Sequence, residues 1–188
     1  MDPARSALLL LDLQHGYLGQ LPAPEVLLQN ASRAAAAARS AGMAVIYPCI
    51  SFRTGQPEVS RRNTMFGRPS ARGRMIVGTE EVRIHPAVAP KAGDLVLTRS
   101  RTSAFAGCAL PEILRARDVT TLVLAGTATS GVVLATACSA DDLDYSVVVL
   151  RDAVADPVPQ VQKVLVEQVL PQYARVAPVS DFCTEAAG

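Results

Sequence analysis

Three short segments of this chain hold the residues that could do chemistry. Asp12 follows the run Ser6-Ala-Leu-Leu-Leu-Leu11. A carboxylate at the mouth of a dry strand is pushed toward a higher pKa by desolvation, which suits it to proton transfer. The same position also suits an Asp that caps a loop or pairs with an arginine. The second segment is Arg99-Ser-Arg-Thr-Ser-Ala-Phe105, where Arg99 could face Asp12 as a cation. The third is Gly126-Thr-Ala-Thr-Ser-Gly-Val132, a turn of small residues ahead of a helix. Backbone N–H groups there favour an anion or a developing oxyanion. Its glycines match neither the G-x-x-x-x-G-K-[ST] nor the G-x-G-x-x-G spacing, which argues against nucleotide binding.

The elements that must position these segments follow from hydrophobic patterning. Apolar runs with strand character cover Ser6–Asp12, Met43–Ile50, Asp94–Thr98, Thr120–Ala125 and Tyr145–Leu150, and Ala174–Val179 reads as an edge strand. Pro48 is expected to shorten or end the second strand. Helices are expected over Pro24–Ala41, Leu110–Arg117, from Gly131 to about Leu143, and over Gln160–Leu170. Strands alternating with helices mean right-handed crossovers and a mostly parallel sheet covered on both faces, an α/β fold. Ligands in such sheets bind beyond the carboxyl ends of the strands, which selects Asp12, Thr98–Ser103 and Gly126–Val132.

Composition narrows the function classes. With 188 residues, 49% hydrophobic and 19% charged, the chain suits one domain spanning residues 1–188 and is not disordered. A net charge of +1, 4% aromatic residues and no Trp argue against nucleic acid or membrane partners. No membrane span or signal peptide is expected. Cys49, Cys108, Cys138 and Cys183 are scattered without C-x-x-C spacing, so neither a metal site nor a disulfide framework is expected, and a reducing cytoplasm fits. His15 and His85 stand alone and read as structural or surface residues. The long segment Ser51–Pro90 is basic and aperiodic, the signature of a functional loop or lid. Its Arg53, Arg61, Arg62, Arg68, Arg72 and Arg74 fit an anionic small-molecule ligand, and equally a solvated face or a subunit contact.

Taken in order, LLLLDLQ, TRSRTSAFAG, LVLAGTATSGVVLATACSADDLDY and VVVLRDAVAD resemble the isochorismatase-like family, which includes the cysteine hydrolases. The resemblance spans roughly Ser6–Val179. It implies a three-layer α/β/α Rossmann-like fold with a six-stranded sheet, hydrolysis of a small molecule without a cofactor, and assembly into homodimers or homotetramers. The family's usual catalytic set is an Asp after the first strand, a Lys after the third and a Cys at the start of the helix after the fourth. Asp12 matches the aspartate, whereas Arg99 stands at the lysine position and Val132 at the cysteine position. The resemblance also implies a cis peptide at Thr127–Ala128 and an oxyanion cradle from Ala128 and Val132. Gln14, Tyr17, Phe105 and Ser130 would line the pocket.

Valine has no nucleophilic atom, so a thioester route cannot pass through Val132. Three readings result. One is a hydrolase in which Asp12, as general acid or base, directs water at a vinyl ether or amide-type bond. The second is a catalytically inactive member that binds a small molecule or serves as an oligomeric scaffold. The third is a covalent hydrolase with Cys108 as a displaced nucleophile.

Overall fold

The computed structural model describes residues 1–188. The strands are β1 (Ser6–Leu11), β2 (Ala44–Ile50), β3 (Leu95–Arg99), β4 (Thr121–Thr127), β5 (Ser146–Ala155) and β6 (Arg175–Ala177). The helices are α1 (His15–Leu18), α2 (Glu25–Ser40), α3 (Leu110–Ala116), α4 (Leu134–Asp141), α5 (Pro159–Val164) and α6 (Val179–Ala187). All six strands form one sheet in the order β3-β2-β1-β4-β5-β6, and every neighbouring pair is parallel. The expected mostly parallel sheet is thus wholly parallel.

Alternation along β1 divides the core. Leu8 and Leu10 pack with α2 and α6, while Ala7, Leu9 and Leu11 pack with α3 and α4. The buried stripe of α2 is Leu27, Leu28, Ala31, Ala34, Ala35 and Ala38, a helical spacing whose alanines let the helix lie close to the sheet. Strand order reverses between β1 and β4, so the crevice expected of such a sheet opens beside Asp12 and Thr127.

Several boundaries differ from the sequence reading. The α1 turn and α6 were not foreseen, and the edge strand is only Arg175–Ala177. β5 runs on past Leu150 to Ala155. Arg151 there points to solvent, and Asp152 accepts a 2.8 Å hydrogen bond from Val179 N–H at the start of α6. Two charged residues therefore interrupt the apolar pattern without interrupting the strand. The helix over Gln160–Leu170 divides at Leu165, where an irregular turn leads on to Val169.

Pro48 lies inside β2, paired with Leu97 of β3, and does not end the strand. The β1–β2 ladder stops at Leu9–Ile46. Pro48 has the parity of Ile46 and Ile50, so its missing donor faces a gap where β1 has already parted from β2. That gap admits the side chains described next.

Candidate functional site

Asp12 leaves β1 with φ of +51°, in the left-handed region, and its side chain turns back beneath the end of β2. Its Oδ1 accepts a 3.1 Å hydrogen bond from Ile50 N–H, and Oδ2 accepts one from the Arg99 guanidinium. The pair is sealed: the side chains of Arg99 and Asp12 are 1% and 4% exposed. Arg99 reaches this point from the end of β3, two strands away from β1. Its Nη1 donates to the Arg101 and Thr102 carbonyls of the following loop. Nε is buried without an acceptor.

Burial pushes the Asp12 carboxyl above the ordinary carboxylate range. The Arg99 charge and the Ile50 N–H pull the other way without cancelling it. The result is a carboxyl with raised proton affinity beside a permanent cation. Tyr17, over the same cavity, has its hydroxyl pushed well above its usual range by burial and by the Asp12 charge, so it stays protonated.

Close approach of β1 and β4 completes the site. Gly126 pairs with Leu11 and adopts φ of +136°. A Cβ there would stand 2.0 Å from the Leu11 carbonyl oxygen, so only glycine lets β4 lie against the strand that carries Asp12. Beyond it comes the cis peptide Thr127–Ala128 that the resemblance implied. The Ala128 carbonyl accepts from Gly131 N–H (3.1 Å) and Val133 N–H (3.3 Å), making a wide turn into α4. Asp156 anchors that turn: its carboxylate accepts from Ser130 N–H at 2.8 Å and Val158 N–H at 3.1 Å.

Asp12, Tyr17, Arg99, Ala128 and Val132 converge on one cavity of about 60 Å³. Met65, Phe66, Thr102 and Gly131 complete its lining. Thr127 is buried at the end of β4 just behind it. No cysteine lines it. Cys108 Sγ donates to the Ala104 carbonyl at 3.2 Å, and burial raises its pKa. Cys49 is buried, its thiol pushed up to about 12 by desolvation and by the Asp12 charge. Cys138 lies further along α4.

Three residues expected at the pocket lie elsewhere. Gln14 is fully buried: its Oε1 accepts from Ile50 N–H, and its amide donates to the carbonyls of Ile50 and Val82. It ties β2 to the long loop, because the parted β1–β2 ladder leaves those groups without partners. Phe105 stacks on Tyr145 with ring centroids 5.7 Å apart and packs into the α3–α4 side of the core. Its segment is structural, since Ala104 N–H donates to Thr136 Oγ1 and Ser103 donates to Ser139. Ser130 faces solvent and enters the site only through its backbone bond to Asp156. Met65 and Phe66 come from the Arg53–Arg74 loop, which was expected to shape the pocket without these two being singled out; two large apolar residues inside a basic loop were the available signal. His15 and His85 stack on each other, 5.2 Å apart, away from the cavity.

The isochorismatase domain model matches residues 6–181, nearly the whole chain. This chain belongs to the isochorismatase family. Among curated relatives, ureidoacrylate amidohydrolase RutB of Enterobacter sp. (strain 638) is 29% identical over 204 residues, covering 96% of this chain and 89% of that protein. Maleamate amidohydrolase of Pseudomonas putida is 32% identical over 157 residues, covering 81% of this chain and 73% of that protein. Among solved structures, a cysteine hydrolase from Pseudomonas syringae pv. phaseolicola 1448A superposes with a TM-score of 0.92 at 22% identity. That match covers 100% of this chain and 94% of the other, and it is a likeness of fold.

Proposed function

We propose that this family member hydrolyses an amide-type bond of a small molecule with water, not cysteine, as the nucleophile. The carrying observation is the convergence of Asp12, Arg99 and the Ala128–Val132 turn on one small cavity that no cysteine lines. The amidohydrolase names of the two relatives support the amide class. On this reading Val132 stands where cysteine hydrolases carry their nucleophile, and its apolar wall leaves room for water.

Asp12 then acts as general base. It takes a proton from water as the oxygen attacks the substrate carbonyl carbon, and returns that proton to the nitrogen as the C–N bond breaks. Arg99 is not a general acid, because a guanidinium does not release its proton near neutrality. It holds Asp12 in place and supplies positive charge beside the developing oxyanion, to which the N–H groups of Ala128 and Val132 would also donate. The products are a carboxylate and an amine or ammonia, so atoms balance without a cofactor.

The test is ammonia release from maleamate, ureidoacrylate and a panel of simple primary amides. Asp12→Asn is expected to lower kcat/KM by about 10³-fold or more, with circular dichroism unchanged. An active Asp12→Asn enzyme refutes the base assignment. The wild-type rate should rise with pH and level off above the ordinary carboxylate range, because burial raises the Asp12 pKa. Vinyl-ether cleavage with Asp12 as acid would show the opposite limb. Silence across the panel, with ligand-induced thermal stabilisation, would favour an inactive binding protein.

A further inference from the structure

The cavity beside Asp12 does not end at the reacting groups. Tyr17, Met65 and Phe66 also line a second, adjacent cavity of about 80 Å³, whose lining includes Gln20, Arg68, Ser70 and Arg74. The two cavities share these three side chains as walls, so a small molecule with its scissile bond at Asp12 would have its far end directed toward the arginines.

The two arginines there are not equivalent. Arg74 is already satisfied: it donates to Glu81 at 2.8 Å and to the Gly16 carbonyl at 3.2 Å. The ion pairs of the chain leave Arg68 without a carboxylate partner. Its charge, like those of Arg99 and Arg74 and less strongly than either, acts on the Tyr17 hydroxyl. The backbone that presents it is tightly folded. Gly67 N–H donates to the Asn63 carbonyl at 2.7 Å, and a Cβ on Gly67 would lie 2.5 Å from that oxygen. Asn63 Oδ1 also accepts from Phe66 N–H at 2.9 Å, and Pro69 follows Arg68 directly. The turn thus fixes Phe66 as a wall of both cavities and Arg68 as a wall of the second.

We infer that Arg68 is a specificity-determining residue that binds a carboxylate at the end of the substrate remote from the bond cleaved. An unpaired guanidinium fork matches a planar carboxylate with two parallel N–H···O bonds. The Tyr17 hydroxyl, held protonated, is a further donor on a side chain that lines both cavities. Arg61 and Arg72 line another cavity of about 470 Å³, which includes Phe66 but neither Tyr17 nor Asp12. The inference rests on the reading of Asp12 as the reacting end, and its test is chosen so that the two fail separately.

Binding of maleate and of its neutral diamide is measured by titration calorimetry, which needs no turnover. Wild-type protein should bind maleate and should bind the diamide at least tenfold more weakly. Arg68→Gln should weaken maleate about tenfold and leave the diamide unchanged, Arg68→Lys should recover part of the loss, and Arg72→Gln should behave as wild type. Maleate binding that is absent, insensitive to Arg68→Gln or lost in Arg72→Gln overturns the inference. If maleate binding depends on Arg68 while no amide is hydrolysed, the carboxylate site stands and the hydrolytic reading falls.

Discussion

Replacing Arg99 by methionine would leave the Asp12 carboxyl buried without its cation, and the consequence should depend on pH. In the unfolded chain Asp12 titrates near the usual value of about 3.9. In the folded protein burial already holds it higher, with Arg99 opposing. Without Arg99 the folded pKa climbs further. A folded acid with a raised pKa binds more protons than the unfolded chain between the two pKa values, so stability falls as pH rises across that window, by about 1.4 kcal/mol per pH unit. Above the window the full cost of an orphaned buried charge applies, about 3–5 kcal/mol. A smaller, pH-independent loss comes from the Arg101 and Thr102 carbonyls that the guanidinium now serves, about 1–3 kcal/mol. Urea denaturation of Arg99→Met between pH 5 and pH 8 should therefore show a steeper fall in stability than wild type. The double variant Asp12→Asn/Arg99→Met should lose the extra slope and keep only the constant offset. Groups outside the pair are common to all variants and cancel. An Arg99→Met slope no steeper than wild type, or one that persists in the double variant, would refute the account of a charge pair sealed from water.

Two other perturbations probe the frame. Gly126→Ala places a Cβ against the Leu11 carbonyl at a φ that alanine rarely adopts, so it should cost about 3 kcal/mol or more. That should appear as a fall of roughly 10 °C in Tm, with loss of any activity that depends on Asp12; an unaltered Tm would mean the strands are not in this contact. Iodoacetamide at pH 7.5 should leave activity intact, because Cys49 titrates at about 12 and no cysteine lines the cavity. Inactivation in step with alkylation of a single thiol would restore a covalent route, with Cys108 the first to replace.

Much of the sheet could be read from the chain, because parallel strands buried on both faces leave uninterrupted apolar runs such as Ala7–Leu11 and Leu122–Ala125. What escaped were elements whose signals are mixed. The second half of β5 carries Arg151 and Asp152, and α6 shows only a three-residue buried stripe of Val179, Phe182 and Ala186. Within the site, residues at strand ends were legible because topology alone selects that end of the sheet. One error fell where a side chain substitutes for backbone pairing. Gln14 sits close to Asp12 in sequence and was read as pocket-facing, yet the parted β1–β2 ladder claims its whole amide.

The same parting explains why Arg99 can stand beside Asp12. A continued β1–β2 ladder would pair Ile50 N–H with backbone and close the gap between β1 and β3. Instead Ile50 N–H turns to Asp12 and Gln14, β2 passes Pro48 without needing its donor, and the long guanidinium arm enters from β3. Arg99 spends its remaining Nη1 donors on the Arg101 and Thr102 carbonyls, contacts available because the loop curls back immediately after β3. The arginine is therefore built into the architecture, with partners on both sides of the gap. That favours a retained role for the Asp12–Arg99 pair over drift at an abandoned site. A pair left without function could be replaced as a whole by well-packed apolar side chains at little or no cost in stability, whereas losing Arg99 alone leaves the Asp12 carboxylate buried and unpaired.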